Sequence, residues 1–309
     1  MISAMTRAEA TDGETVRMRP RGGTAQDDAE RARRSDAGRC RSGGPADLDA
    51  QRWKTLTAAR QLTHEEDLRV TVEYGAGVLT VRRGDDGELY NALFHFDENW
   101  AVPKTEYANG RLEVGLSAIE TRNSDFGKWP AEASLELELA AGVPMELELN
   151  FGAGRAELDL TGLGVRKLVV NTGASESVIR AGEANPERME SAAINVGAAD
   201  LHVHGLGNLN ADQITVKSGL GSVTLRLDGV WERDGHLVVS MGLGALELQI
   251  PRSLGVRLRR PDSFLASIET GGLRKRGKAY QSDNWENAEH KVEIEITAVL
   301  GSVDLEWIR

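Results

Sequence analysis

Cysteine is almost missing from this 309-residue chain: Cys40 stands alone, which excludes an internal disulfide framework and a cysteine zinc site. Aromatic residues make up only 5% of the sequence, so a core must come from Leu, Val, Ile and Ala, as suits the narrow interior of a stacked β structure. No apolar run approaches the roughly 18 residues of a membrane span, and none resembles a signal-peptide core. As written, the chain therefore encodes no route out of the cytoplasm. Excess positive charge is also lacking. The formal net charge is -11, which argues against nucleic acid as a general partner, because phosphate binding needs concentrated Lys and Arg.

Glycine is what the chain has in quantity, with 34 residues. The stretch Leu149 to Leu160, LNFGAGRAELDL, alternates apolar and polar residues, breaks at Gly152 and Gly154, and then resumes the alternation. Alternation at period two places one set of side chains on a single face, and glycine permits a sharp bend or a close backbone approach. The unit reads as strand, corner, strand.

Variants of it recur as VEYGAGVLTV (Gly75), NTGASESVIR (Gly173), INVGAADLHV (Gly197), VKSGLGSVTLRL (Gly219), VSMGLGALELQI (Gly242) and VLGSVDLEWI (Gly301). From Gly152 to Gly242 the corner glycines are 21, 24, 22 and 23 residues apart. A period near 22 predicts an all-β stacked solenoid, in which only stacking buries each repeat's apolar face. Residues four and six beyond each corner predict two interior columns: Leu79 and Val81, Ala156 and Leu158, Leu201 and Val203, Val223 and Leu225, Leu246 and Leu248. At Gly173 the same offsets fall on Ser177 and Ile179, which predicts a one-residue slip or bulge there.

Three regions follow. Residues 1–60 hold 12 Lys plus Arg against 9 Asp plus Glu without apolar periodicity, and are expected to be a disordered basic tail or an extension upstream of the true start. A short helical or irregular lead-in is expected from Trp53. Residues 61–135 form an N-terminal β segment, and 136–309 the repetitive solenoid. Its last strand, KVEIEITAVLGSVDLEWIR, is expected to cap the stack, with Trp307 as a lid.

The corners VEYGAGVLTV, VGAADLHV and SGLGSVTL, with LYNALFHFDENW, VPMELELNFGAGRAELDLTGL and LVVNTGAS, resemble the toast-rack β domain at the C-terminus of LiaF-type cell-wall-antibiotic response proteins and related bacterial candidate adhesins. The likeness spans roughly Leu68 to Arg309. It implies a non-enzymatic scaffold or interaction domain in envelope stress, envelope-associated, with a protein partner: a membrane sensor or the chain itself. This sequence departs from the family pattern in having no membrane helices.

Candidate chemistry is thin. Asp200, His202 and His204 share one strand face and make a passable metal half-site, though Arg226 on the next rung disfavours a cation. The acids Glu136, Glu138, Glu146, Glu148, Glu157, Asp159, Glu293 and Glu295 alternate with leucine as a solvated face does, rather than as the paired carboxylates of sugar hydrolysis. Ser175 and Ser177 lack a traceable histidine partner. The basic group Arg257, Arg259, Arg260, Arg274, Lys275, Arg276 and Lys278 suits charge compensation, or else anionic headgroups or wall polymers. No catalytic residue and no cofactor are expected. Two alternatives to the scaffold stand: a self-assembling or adhesin-like solenoid, and a carbohydrate-binding or carbohydrate-active β-helix protein.

Overall fold

The structure, a computed structural model, describes residues 14–18, 51–119, 132–260 and 267–309. Among them there is no α-helix, and the one helical turn is a 3-10 turn at Leu206–Leu209. Seven long strands carry the architecture: β3 (Leu68–Arg83), β8 (Met145–Asp159), β9 (Val165–Arg180), β10 (Met189–His204), β11 (Ala211–Arg226), β12 (Gly235–Pro251) and β17 (Lys291–Ile308). They pair in parallel in that order. Each bends at its glycine corner, so its first half lies in one layer and its second half in another. A single apolar core fills the space between.

The alternation explains the burial. In β3, Val70, Val72 and Tyr74 are buried before the corner and Leu79 and Val81 after it. Between Tyr74 and Leu79 the buried positions change from even to odd numbers, so the inward face switches parity across the bend, as a corner requires. Both expected interior columns are buried at every rung.

Three expectations are corrected. First, no slip occurs at Gly173. The register runs straight through, pairing Ala156 with Ser177 and Leu158 with Ile179. Ser177 occupies the interior column and satisfies its hydroxyl with that of Ser175 at 2.9 Å. Second, the lead-in at Trp53 is a strand, β2 (Trp53–Gln61), antiparallel to β4 (Glu88–Asp97). It crosses the boundary expected at residue 60. Within the tail, β1 (Glu14–Met18) pairs with β2, while 1–13 and 19–50 lie outside the described residues.

Third, β17 does not cap the stack. It lies between β12 and a final split rung of β13 (Gly255–Arg259) and β14 (Ser267–Glu269). The hairpin of β15 (Arg274–Arg276) and β16 (Ala279–Gln281) continues beyond β13. Alternation cannot distinguish an internal strand from a terminal one, so the return of the chain was invisible to periodicity. Trp307 donates its indole N–H to the Gly271 carbonyl at 2.6 Å, tying β17 to the turn before β15. The opposite end is also split: β6 (Arg111–Ala118) and β7 (Ser134–Leu139) pair with the two halves of β3. There β5 (Ala101–Ala108) and β4 extend the layers antiparallel.

The corner glycines fall into two columns. Gly152, Gly173, Gly197, Gly219 and Gly242 form one column, in which a Cβ would lie 2.2 to 2.8 Å from the carbonyl oxygen of the preceding rung's glycine. Gly301 belongs to a second column two residues further on, above Gly244. There the glycines also hold positive φ: 117° at Gly154, 146° at Gly244 and 138° at Gly301.

Candidate interaction surface

Between the two glycine columns runs a third, at the crest of the corner. Its members, rung by rung, are Ala76, Ala153, Ala174, Ala198, Leu220, Leu243 and Leu300. The three leucines are 48%, 47% and 53% exposed. Alanine fills the same position in the other four rungs, so the corner does not require leucine. Exposing three aligned leucines forgoes a favourable burial of about 1.5–3 kcal/mol for each side chain fully withdrawn from water.

The flanks change with the crest. On the first-layer side the adjoining column reads Glu73, Asn150, Asn171, Asn195, Lys217, Ser240, Thr297. On the second-layer side it reads Val78, Arg155, Glu176, Asp200, Ser222, Ala245, Ser302. The alanine rungs are thus bordered on the second-layer side by charges, including the Arg155–Glu176 pair at 2.9 Å, and on the first-layer side by Glu73 and three asparagines. The leucine rungs are bordered by small neutral side chains and by Lys217. Apolar crest and neutral fringe coincide over β11, β12 and β17, forming one patch.

Along the alanine rungs the polar column is a ladder. Asn150 donates to Glu73 at 3.0 Å, Asn171 to Asn150 at 2.8 Å and Asn195 to Asn171 at 2.9 Å. Beside it lie two shallow grooves of about 490 and 580 Å³, the second lined by Asn171, Asn195, Lys217, Ser240 and the corner glycines. No tryptophan lines either groove, and the stacked aromatics beneath the first, Tyr74 and Phe151, are buried.

The candidate metal half-site does not converge. The His202 ring lies 3.3 Å from Asp200, whose carboxylate also accepts the Ser222 hydroxyl at 2.7 Å. His202 is flanked by Val178 and Thr224, and His204 stands opposite Arg180. Among the described residues no three His, Cys, Asp or Glu side chains gather to hold a metal.

Burial, Arg180, Arg226 and His202 hold His204 below its ordinary value of 6.5, against an opposing pull from Asp228. A histidine whose folded pKa is depressed contributes stability fully present above its unfolded pKa and lost as pH falls from there through the folded pKa. Unfolding midpoints should therefore drop between pH 7.5 and pH 5.5, and H204N should flatten the drop. An unchanged slope in H204N would refute this.

The outward acids are paired or dispersed: Glu138 with Arg82, Glu146 with Arg69 at 3.1 Å, and Glu293 with Arg257 at 2.9 Å. Arg257 also lies 4.1 Å over the Trp285 ring, and Arg274 pairs with Asp283 at 2.8 Å. Part of the basic group thus compensates acids and packs the end of the stack.

What sequence reasoning missed lies in the turns between rungs. Asn185, Asn208 and Asn210 are buried. Asn185 accepts from the N–H groups of Val165 and Glu187 at 3.1 Å each, and donates to the carbonyls of Val165 at 2.7 Å and Leu209 at 3.1 Å. Asn208 donates to Ala181 at 2.7 Å and accepts from Val230 at 2.8 Å. These amides staple successive turns together. Their signal, Asn in the turns ANPE and GNLN, was open to notice.

Residues 48–204, just over half the chain, match the family described as the N-terminal domain of toast_rack, DUF2154. The chain belongs to the toast-rack family. Comparison with curated proteins returned no match. The toast-rack chain is similar to the crystal structure of a candidate cell adhesion protein from Clostridium sporogenes ATCC 15579. Identity is 16%, coverage is 83% of this chain and 100% of that one, and the TM-score is 0.42. It is also similar to that of a candidate adhesin from Bacteroides fragilis NCTC 9343, with 10% identity, 82% and 97% coverage and a TM-score of 0.36. Both likenesses are too distant to bear on function.

Proposed function

We propose that this toast-rack protein is a non-enzymatic interaction scaffold that engages a protein partner through the leucine crest of β11, β12 and β17. The observation that carries the reading is the change from Ala to Leu along one geometrically uniform column, accompanied by loss of charge on the second-layer flank. A rigid stack whose rungs are all locked to one another presents such a patch at little ordering cost. The finer reading is a role in the cell-envelope stress response; it rests on the resemblance to LiaF-type proteins.

The triple variant L220A/L243A/L300A tests both levels, because it installs the residue that the other rungs already carry. Its melting temperature should stay within about 2 °C of wild type, since exposed sites contribute within ~0.5 kcal/mol. Chemical cross-linking in the native cell should trap wild-type protein in larger complexes and the variant at least about tenfold less, as truncating the central anchors of an interface does. Exposure to a wall-active antibiotic should change the wild-type complexes. Equal cross-linking of the two proteins would reject the crest, and complexes indifferent to the antibiotic would reject the stress-response setting.

A further inference from the structure

We infer that the occupant of the leucine crest is a second copy of this chain, in a weak twofold dimer. This rests on the interaction reading above and names its partner. Three features of the crest lead there.

The first is shape. Leu220 stands between Gly219 and Gly221 and Leu243 between Gly242 and Gly244, while Leu300 stands between Val299 and Gly301. The crest is a row of knobs beside a shallow groove that runs along Gly197, Gly219 and Gly242. Knobs and groove repeat at the same rung spacing, about 4.8 Å, because both are set by strand pairing. A surface carrying a row of knobs beside a groove of equal period is complementary to itself. Rotation by 180° about an axis parallel to the crest, between the leucine row and the groove, sets the leucines of one copy into the groove of the other, each rung level with the same rung of the partner. This is an isologous contact, which closes at two copies.

The second is charge. The chain carries -11, so two copies repel unless they meet where the acids are absent. Around Leu220, Leu243 and Leu300 the flanks are Ser222, Ala245, Ser302, Ser240 and Thr297, and the one charged neighbour is the cation Lys217. On the alanine half of the same corner Glu73, Arg155, Glu176 and Asp200 would all be taken out of water, Arg155 and Glu176 as a pair within each copy. Desolvating charges at an interface opposes association, so the crest selects its leucine end.

The third is size. Three rungs span only about 10 Å along the stack, well short of the roughly 800 Å² per partner of a stable complex. The dimer is accordingly weak and reversible, populated where the protein is concentrated.

Sedimentation of the full-length protein over rising concentration tests this. The weight-average mass of wild type should climb from 33.5 kDa toward twice that value and level off. L220A/L243A/L300A should raise the dissociation constant at least about tenfold, and L243D, which buries two carboxylates near each other across the axis, should abolish the climb. Wild type that stays monomeric throughout would overturn the inference while leaving a different protein partner for the crest. Association that the variants do not weaken would place self-contact elsewhere, and mass that rises past two copies would replace the twofold contact by an open, head-to-tail one. Either result also overturns it.

Discussion

Gly244→Ala will cost the fold more than about 4 kcal/mol, enough to leave little folded protein. Two effects combine. The backbone there has φ of 146°, outside what an L side chain readily adopts, and holding a non-glycine residue so costs about 1–3 kcal/mol. A Cβ would also stand 1.7 Å from the carbonyl oxygen of Gly221 on the rung below. That oxygen belongs to a parallel ladder continuing through β11 and β12, so relief means separating rungs rather than turning a side chain. Gly87 is the control: its φ is 98° but nothing lies within 4 Å of its Cβ position. Gly87→Ala should cost only the backbone strain, about 1–2 kcal/mol. Equilibrium denaturation of both decides the matter, and a Gly244→Ala protein as stable as Gly87→Ala would contradict the stacked corner.

Asn185→Ala should destabilise by about 3–5 kcal/mol, a fall in melting temperature of roughly 10 °C. Its side chain serves four backbone groups on three segments, and alanine leaves all four without that partner in a buried turn. Asn171→Ala is the contrast. It breaks two rungs of the outer amide ladder, where water replaces the lost bonds, and should cost under about 1 kcal/mol. If the two substitutions prove equal, the turns are not stapled as described.

Architecture was largely legible in the sequence because it rests on two local signals, alternation and glycine. Leu158, Val203, Val223 and Leu248 were placed inside by counting from a glycine, and all are buried. Counting failed where the deciding interaction joins distant segments. A serine at an interior offset suggested a slip, whereas Ser175 and Ser177 satisfy one another and keep the register. The place of β17 depends on which edge its residues find, and its sequence would read identically as a cap. Gly301 shares the motif of the other corner glycines, and only its pairing with Gly244 shows which of the two glycine columns it joins.

The candidate surface was visible in outline and passed over. GAG, GAS and GAA in the early rungs become GLG twice and then VLG, so the change from alanine to leucine was present in the repeats. Its meaning needed the register. Leu300 precedes its glycine whereas Leu220 and Leu243 lie between two, and only parallel pairing shows the three to be neighbours. The residues that sequence reasoning did single out, Asp200, His202 and His204, lie on the neighbouring strand β10. Asp200 there forms part of the charged border of the alanine rungs.

Photo-cross-linking along the crest bears most directly on whether this corner is where the protein works. A photoreactive residue placed in turn at positions 76, 153, 174, 198, 220, 243 and 300 of the full-length protein, in its native cell, samples one column with uniform geometry. The account predicts cross-links at 220, 243 and 300 and background at the four alanine positions. Cross-links spread evenly along the column, or confined to its alanine half, would contradict it.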